Sequence, residues 1–395
     1  MADFENCFSA LDFSHHKRVI VAISGGSDST GLLVLLQEFL ASRNATLEII
    51  AVTIDHGLRL ESAKEAAWVK ALCEKRAIVH VTKHWQGEKP KTGIQAAARE
   101  ARYRLLMEAA HENGATLILT GHTEDDQFET ILMRSKRGEG YGLAGIAPAT
   151  LAFGEPLPIW FARPFLTMTR AAIRAALSLQ MVDWIDDPSN VNPDFERVRV
   201  RQALAGFTDG DLARLRQSQA EWAQKRTDLS KRAASMIECH LSEISPGLFL
   251  ADAALADEAD RHAAAEALRV CLAFAGGSKK MIDLQRAKDI VVLLGAGESF
   301  RKTGSGSLID RRKQGLFILR ESRNPGKASG VQKSEAQILE GVPVSLVRRA
   351  LALKVLGKPI LNPWPLRVPL FDLAAASALA RLAAAEALPP SACSL

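Results

Sequence analysis

Apolar runs and helical patterns alternate over residues 18–120 of the chain. Each apolar run is short and rich in β-branched residues, as in a buried strand, and the segments between them have helical periodicity. Buried strands that alternate with helices predict a parallel, doubly wound α/β domain of the Rossmann-like class, with helices on both faces of the sheet. The predicted strands are Arg18–Ile23, Leu47–Ile54, Ala77–Thr82 and Thr116–Thr120.

The pattern changes after Tyr141. A Pro- and turn-rich stretch from Pro148 to Pro164 ends the alternation. Residues 208–275 are rich in Ala, Glu and Arg and predict helices throughout, whereas Gly and short β-like runs return from residue 276. We therefore expect three domains: an α/β domain over 1–207, a helical domain over 208–275 and a small α+β domain over 276–395.

Polar clusters that contain glycine follow three of the predicted strands. They are Ser24–Ser29 (SGGSDS), Asp55–Gly57 (DHG) and Gly121–Asp126 (GHTEDD). Ligands of open α/β sheets bind in the crevice at the carboxyl ends of the strands. The three clusters therefore predict one shared ligand site at this edge of the sheet.

The Ser24–Ser29 loop has the features of a phosphate site. Its glycines permit close approach of the backbone, and the first amides of the next helix can donate to an anion. The loop lacks the lysine of the common P-loop and the GxGxxG pattern of dinucleotide sites. A carboxylate at Asp28 would repel phosphates unless a cation lay between them, which indicates a bridging Mg²⁺. The structural alternative is that Ser27 or Asp28 caps the helix beside a glycine turn.

Composition narrows the class of protein without identifying it. The chain of 395 residues is 47% hydrophobic and 24% charged, as in soluble globular proteins, and its net charge of +5 permits a polyanionic partner without requiring one. Its five cysteines form no CxxC pair, which favours a reducing compartment over a disulfide framework or a zinc site. The N-terminus has no secretion pattern and no apolar run is long enough to span a membrane, so we expect a cytoplasmic protein.

Four motifs carry a resemblance to a known family. The SGGSDS loop after an apolar strand resembles the PP-loop of the ATP pyrophosphatase superfamily, whose members cleave ATP between the α and β phosphates to adenylate a substrate. Together with three further motifs, it resembles the tRNA(Ile)-lysidine synthases over residues 18 to 205. Those motifs are Asp55–Arg59 (DHGLR), Gly121–Thr130 (GHTEDDQFET) and Trp184–Asn190 (WIDDPSN), the last followed by Phe195–Arg201 (FERVRVR).

The resemblance implies a fold of the adenine nucleotide alpha hydrolase type and a two-step reaction. ATP adenylates C2 of the wobble cytidine in the CAU anticodon of tRNA(Ile), and the amine of free L-lysine then displaces AMP to give lysidine, which changes codon reading from AUG to AUA. The implied cofactors are ATP and Mg²⁺, and the implied partners are tRNA(Ile) and L-lysine. Both later domains are expected to contact tRNA, and the oligomeric state stays open, a homodimer included.

Carried over motif by motif, the resemblance also implies roles for individual residues. The expected catalytic residues are Asp28, Asp125, Asp126 and Arg199, with Asp28 and Asp126 as metal ligands. The residues expected to bind ATP are Ser24, Gly25, Gly26, Ser27, Asp28, Ser29, Ile54, His56, Gly121 and His122. The residues expected to contact tRNA or lysine are Arg59, Glu129, Arg134, Arg137, Arg197 and Arg201, with Arg163 as a further candidate for tRNA phosphate. Which acid holds Mg²⁺ and which binds lysine stays open.

The secondary structure of two segments determines which of their charged side chains lie on the same face. On an ideal helix that begins at Thr123, Asp125 and Glu129 share one face, while Asp126 shares another with Thr130 and Arg134. The alternating arginines of Arg197–Arg201 would lie on one face of a strand but fan out around a helix. Each arginine could alternatively belong to a solvated charged surface. Asp125 could be an acid that only stabilises the helix start, and His122 could be a structural histidine with its hydrogen bonds satisfied within the protein.

Three other functions use similar loops. A tRNA thiolase would share the adenylation step, but such enzymes usually depend on paired cysteines, and this chain has no CxxC. An amidotransferase-like synthetase would need an ammonia source, and Cys7 is not a terminal nucleophile. A nucleotide-binding sensor would need the loop but not the acidic and basic residues that follow the strands.

Overall fold

The computed structural model describes residues 2–58, 62–90, 92–136, 138–152, 157–186, 196–245, 247–278, 280–321, 346 and 373–382. These residues fall into two compact units. The first lies within Met1–Thr150 and Ile159–Arg226, and the second within Leu151–Pro158 and Thr227–Ala387. In the described part of the chain, no helix combines the length and the apolarity needed to cross a membrane.

A six-stranded sheet forms the centre of the first unit in the described residues, with the strand order β3-β2-β1-β4-β6-β5. The neighbours β1 and β2, β2 and β3, β1 and β4, and β4 and β6 pair in parallel. The order reverses between β1 and β4, which creates the crevice where ligands of such sheets bind. The strands are β1 (Arg18–Ala22), β2 (Glu48–Asp55), β3 (Val79–His84), β4 (Leu117–Thr120), β5 (Ala149–Ala152) and β6 (Ile159–Ala162).

Helices connect these strands, and their starts lie near the crevice. α2 starts at Ser27, within the Ser24–Ser29 loop, and buries Leu32–Leu36 next to the sheet. Thr123 and Thr169 cap the starts of α5 and α6, and their hydroxyls accept hydrogen bonds from amides of the first turn. The helices are α1 (Ala2–Ser9), α2 (Ser27–Ser42), α3 (Ser62–Lys75), α4 (Ile94–Glu112), α5 (Glu124–Ser135), α6 (Arg170–Leu179), α7 (Glu196–Leu204) and α8 (Asp209–His240).

An aromatic cluster fixes the turn that leads into α6. Phe165 lies in the 3-10 turn Pro164–Thr167, and its ring contacts those of Phe4 and Phe8 from α1 at centroid distances of 5.7 and 5.6 Å. Phe8 also contacts Phe39 of α2 at 5.4 Å. Because such a packed cluster holds its backbone rigidly, the start of α6 has a fixed position relative to α2.

The predicted parallel α/β fold of the N-terminal part is confirmed. Strand boundaries differ from the prediction by at most two residues at either end. The turn-rich stretch from Pro148 to Pro164 contributes two further strands, β5 and β6, which the sequence did not indicate. Both are only four residues long, so they carry too little periodicity to stand out from a turn-rich background.

The second unit contains an antiparallel sheet with the strand order β7-β8-β11-β10-β9. Its core includes Leu248, Leu308, Phe317, Leu319 and Leu346. The strands are β7 (Leu241–Ser245), β8 (Leu248–Asp252), β9 (Arg301–Gly304), β10 (Ser307–Arg312) and β11 (Gly315–Arg320). The helices are α9 (Arg261–Gly276), α10 (Leu284–Gly295) and α11 (Leu373–Leu382).

One structural expectation for this region is wrong. The composition predicts helix for residues 241–252 together with the rest of 208–275, but these residues form the hairpin of β7 and β8. Gly247 has a φ of +73° and allows the reversal between the two strands, a conformation that other residues rarely adopt. The helices on either side are rich in alanine, so the average composition of 208–275 predicts helix and does not reveal the turn. The three domain boundaries remain predictions.

Candidate active site

The Ser24–Ser29 loop turns sharply between β1 and α2. Gly25 has a φ of +92°, and Gly26 is the residue before the first turn of α2 with no side-chain cap. The structural alternative required Ser27 or Asp28 to cap the helix, and neither residue does so. The hydroxyl of Ser29 instead closes the loop, since it accepts from the Ser24 amide at 3.1 Å and donates to the Gly26 carbonyl at 3.1 Å. The start of α2 therefore follows directly on the end of β1, and the first amides of such a helix can donate to an anion.

Gly121 brings the end of β4 against this loop. A Cβ at this position would lie 2.8 Å from the carbonyl oxygen of Asp28 and 3.0 Å from the amide of Ser29. Such distances are too short for any side chain, and the neighbouring atoms are backbone. The expected ligand residue Gly121 is therefore required for the close approach of two loops.

The segment after α6 also contacts the loop. The amide of Ile185 donates to the carbonyl of Gly25 at 2.8 Å, and its side chain lies against Gly25. Arg174 of α6 joins the same contact, because it donates to the Ser27 hydroxyl at 3.2 Å and to Asp186 at 2.7 Å. The start of the WIDDPSN motif thus braces the Ser24–Ser29 loop.

The first turn of α5 presents three adjacent acids, Glu124–Asp126, which we call the acidic turn. The helix dipole favours negative charge at this end. Asp126 completes a capping box, since its Oδ2 accepts from the amide of Thr123 at 2.9 Å. Its Oδ1 faces Arg170 and Arg197, at 3.9 and 3.7 Å. One carboxylate therefore fixes the helix start with one oxygen and presents the other to the site.

Asp28 meets the acidic turn through Arg170, the first residue of α6. Arg170 Nε donates to Asp28 Oδ2 at 2.9 Å, and its backbone amide donates to Asp125 Oδ2 at 2.8 Å. Burial raises the pKa of Asp28, and Arg170 only partly opposes that effect. Burial also tends to raise the pKa of Asp126, but its interactions with His122, with the two neighbouring arginines and with the Thr123 amide outweigh this and lower the pKa. The two carboxylates thus have opposite electrostatic environments at one guanidinium.

Glu129 lies one turn further along α5 and is almost fully buried, at 1% exposure. Its Oε1 accepts from Arg201 Nε at 2.8 Å, and its Oε2 lies 3.2 Å from Arg197 Nε. Asp126 and Glu129 therefore share Arg197, although the ideal-helix argument placed them on different faces. Residues three apart are also neighbours on a helix, and that spacing decides the pairing here.

Arg197, Arg199 and Arg201 lie on a helix, α7, and not on a strand. Arg197 and Arg201 are four residues apart and both reach Glu129. Arg199 is exposed and lies two residues from both Arg197 and Arg201. It therefore points about 200° away from them around the axis of α7. The structure thus brings two of the three arginines to the acidic residues, and the catalytic role of Arg199 remains a prediction.

His122 lies at the end of β4, where its Nδ1 is 2.9 Å from the hydroxyl of Thr120. Burial, reinforced by the positive charge of Arg163, lowers the pKa of His122 to about 3. The imidazole is therefore neutral at physiological pH. It can take part in hydrogen bonds to a ligand, but it adds no positive charge for phosphate.

Acidification is expected to destabilise the protein through His122. The unfolded chain takes up a proton on this side chain near its ordinary pKa of 6.5, whereas the folded protein does so only at about 3. The contribution of His122 to stability is thus complete above pH 6.5 and is lost as the pH falls towards 3. Denaturant unfolding at neutral pH and near pH 5 checks this, with wild type losing more stability than His122→Asn. Equal losses would contradict it.

The loop after β2 forms the outer part of the strand-end site. His56 contacts the ring of Trp85 edge-on at 5.9 Å, and burial, with the charge of Arg102, lowers the pKa of His56 to about 4. Asp55 Oδ1 accepts from the amide of Gly57 at 2.8 Å and fixes the turn. The expected ATP residues Ile54 and His56 thus lie beyond β1 on the β2 side, away from the crevice between β1 and β4.

Two predicted contact residues form hydrogen bonds within the protein. Arg134 donates to the carbonyls of Gly142 and Gly145 at 3.2 and 2.8 Å and so ties α5 to the loop that follows it. Arg163 is 4% exposed and donates to the carbonyl of Ala147 at 2.9 Å, so its place in a tRNA-facing cluster is wrong. Arg59 and Arg137 lie outside the described residues.

Asp28 and Asp126 are the candidates for holding a divalent cation, because oxygens of both carboxylates lie near one cationic side chain, Arg170. Among the described residues, no three His, Cys, Asp or Glu side chains cluster as in a preformed metal site. Mg²⁺ usually keeps several waters and is held by one or two carboxylates together with substrate phosphates. The donors present match that mode of binding.

Sequence reasoning missed Arg170 and Arg174 because neither lies in a motif. One local signal was available. Thr169 is a favourable N-cap residue, so Arg170 begins a helix, where a positive charge is unfavourable to the helix dipole. A cation in that position needs an acidic partner elsewhere in the fold, and here the partner is Asp28.

Comparison with known proteins identifies the family of the chain. A family model described as a PP-loop domain matches residues 2–206. The chain is similar to a tRNA(Ile)-lysidine synthase of Mesorhizobium japonicum, with 39% identity over 97% of this chain and 96% of the relative. It is 42% identical to one of Rhizobium meliloti over 78% of this chain and 68% of the relative. One of Brucella melitensis is 40% identical over 81% of this chain and 72% of the relative.

Proposed function

This chain belongs to the tRNA(Ile)-lysidine synthase family of PP-loop proteins, and on that premise we propose that it is a ligase that forms a carbon–nitrogen bond between lysine and tRNA(Ile). The wobble cytidine of a CAU anticodon is the acceptor, and ATP is cleaved to AMP and pyrophosphate. The observation that carries this proposal is that Asp28 of the Ser24–Ser29 loop meets Asp126 and Arg170 beside the crevice between β1 and β4.

In the first step, the C2 carbonyl oxygen of the cytidine attacks the α-phosphorus of ATP, and the bond to pyrophosphate breaks. That oxygen is a poor nucleophile, so the rate depends on in-line positioning and on screening of phosphate charge. The amides at the start of α2 and the hydroxyls of the Ser24–Ser29 loop suit the phosphates. Gly121 and Ile185 hold that loop in place from two sides.

We propose Asp28 and Asp126 as the residues that hold Mg²⁺ with the phosphates. When bound, Mg²⁺ would screen phosphate charge and favour the departure of pyrophosphate. The donor set described above supports this assignment, because the two carboxylates come from different helices and point to the same place.

In the second step, the amine of lysine attacks C2 of the cytidine, and the C–O bond to AMP breaks. The ammonium group of the incoming lysine needs a carboxylate, and Asp125 and Glu129 are the candidates. Glu129 would have to release Arg197 or Arg201 first, because both lie against it in this structure. The arginines of α7 would then be available to the tRNA or to the AMP leaving group.

Sulfur transfer is the nearest rival function. Burial raises the pKa of Cys73 to about 11 and that of Cys271 to about 12, so both thiols stay protonated and weakly nucleophilic. None of the four described cysteines is in a disulfide, which also agrees with a cytoplasmic location. These observations favour lysine over a sulfur donor as the second substrate.

The test is incorporation of radiolabelled L-lysine into an isoleucine tRNA with a CAU anticodon. We expect label in the tRNA only when ATP is present, with one pyrophosphate released per lysine incorporated. A tRNA with G in place of the wobble cytidine is the matched control and should take up no label. Adenylation and pyrophosphate release that need a sulfur donor in place of lysine would establish the thiolase instead.

A further inference from the structure

Arg170 occupies a position that its own helix does not favour. It is the first residue of α6, where the helix dipole repels a positive charge. Thr169 already caps the helix by accepting from the amide of Ala172, so α6 has no local need for an arginine here. The reason for this side chain must lie in what it contacts outside α6.

Its contacts are carboxylates from two other helices. Arg170 Nε donates to Asp28 Oδ2 at 2.9 Å, and its terminal nitrogen lies 3.9 Å from Asp126 Oδ1. The backbone amide of Arg170 is held at 2.8 Å by Asp125 Oδ2. The backbone is therefore fixed while the side chain reaches into the site.

The guanidinium lies where a cation is needed between Asp28 and Asp126. Two carboxylates that face one another repel unless a positive charge lies between them. The oxygens that Arg170 contacts are the same ones that a divalent ion would use. Arg170 and such an ion therefore cannot occupy this position together. The Arg170 side chain is 21% exposed, so it has a path out of the position.

We propose that Arg170 is a positioning residue that substitutes for the divalent cation in the nucleotide-free protein and keeps metal from entering without ATP. When ATP brings Mg²⁺, the ion displaces the guanidinium from Asp28 and Asp126. Arg170 then turns to the adjacent phosphates, for which a guanidinium is a good partner. This inference rests on the proposed Mg²⁺–ATP chemistry of the site.

Binding of Mn²⁺, followed by its electron paramagnetic resonance signal in the absence of nucleotide, tests the proposal. Wild type is expected to bind Mn²⁺ weakly, and Arg170→Gln to bind it at least about tenfold more tightly, because a positive charge no longer competes for the two carboxylates. Arg170→Lys keeps the charge and is expected to stay near wild type. Adding a non-hydrolysable ATP analogue should bring wild-type Mn²⁺ affinity up towards that of Arg170→Gln.

Arg18→Gln is the matched control, since Arg18 pairs with Glu48 at 2.7 Å at the opposite end of β1. It should leave Mn²⁺ binding unchanged. Equal Mn²⁺ affinity of wild type and Arg170→Gln would overturn the proposal, as would tight nucleotide-free binding by wild type, a measurement that needs no variant. Because this experiment uses neither tRNA nor lysine, its failure is distinct from failure of lysine incorporation.

Discussion

Asp126→Asn is expected to reduce lysine incorporation by about 100- to 1000-fold, the scale on which enzymes lose rate when one preorganised electrostatic group is removed. The Oδ1 atom of Asp126 faces Arg170 and Arg197, and the substitution removes the negative charge from that position. The fold should survive, because an asparagine oxygen can still accept from the Thr123 amide and maintain the capping box. We expect a loss of about 1–2 kcal/mol in the free energy of unfolding.

Glu124→Gln is the control for this experiment. Glu124 belongs to the same acidic turn, but its partner is Arg216, which reaches it with two hydrogen bonds of 2.6 and 2.8 Å. Breaking that ion pair should leave the rate of lysine incorporation near wild type. Steady-state rates and denaturant unfolding of the three proteins check the prediction. A similar loss of rate in both variants would mean that the net charge of the turn matters and not Asp126 itself.

Gly121→Ala is expected to displace the Ser24–Ser29 loop, because the added methyl group would overlap with backbone atoms of that loop. The added Cβ would lie 2.8 Å from the carbonyl oxygen and 2.9 Å from the carbonyl carbon of Asp28, and backbone atoms cannot move aside as a flexible side chain can. The loop must shift, which displaces the amides that would hold phosphate. We expect the free energy of unfolding to fall by about 1–3 kcal/mol and the affinity for ATP to fall by about tenfold or more.

Gly206→Ala provides the comparison, because its added Cβ meets only the carbonyl oxygen of Ala203 at an ordinary 3.5 Å. Calorimetric titration with ATP and denaturant unfolding should separate the two variants. If Gly121→Ala binds ATP as tightly as wild type, then the close approach of β4 to the loop has no role in nucleotide binding.

The sequence determined the parallel α/β fold and predicted where its ligand site lies. Strand and helix periodicity are local properties, so short apolar runs separated by helices suffice to predict a parallel sheet. Because the carboxyl ends of parallel strands share one edge, the order of motifs along the chain places the clusters at Ser24, Asp55 and Gly121 on that edge. The clusters at Ser24 and Gly121 are in contact there, whereas the one at Asp55 lies on the β2 side. The four motifs also identified the family, which the full-length relatives confirm.

The location of a side chain was harder to predict for residue types, such as arginine, that occur both on the surface and in buried positions. Arg163 has the charge expected of a tRNA contact, yet it is buried and donates to backbone carbonyls. The alternating arginines of α7 suit a strand or a helix, and only the helix places Arg197 and Arg201 together on Glu129. Composition gives a residue's chemistry but not the surface on which it lies.

The tertiary structure alone decided the pairings that make the site. Asp28 and Arg170 are 142 residues apart, and no periodicity or motif connects them. They meet because the aromatic cluster around Phe165 fixes the start of α6 next to α2, and because Gly121 lets β4 approach the Ser24–Ser29 loop. Local sequence specifies helices, strands and caps, whereas contacts between distant charges depend on how those elements pack. The chain itself therefore predicted the carboxylates of this site, and the packing supplied the arginine that joins them.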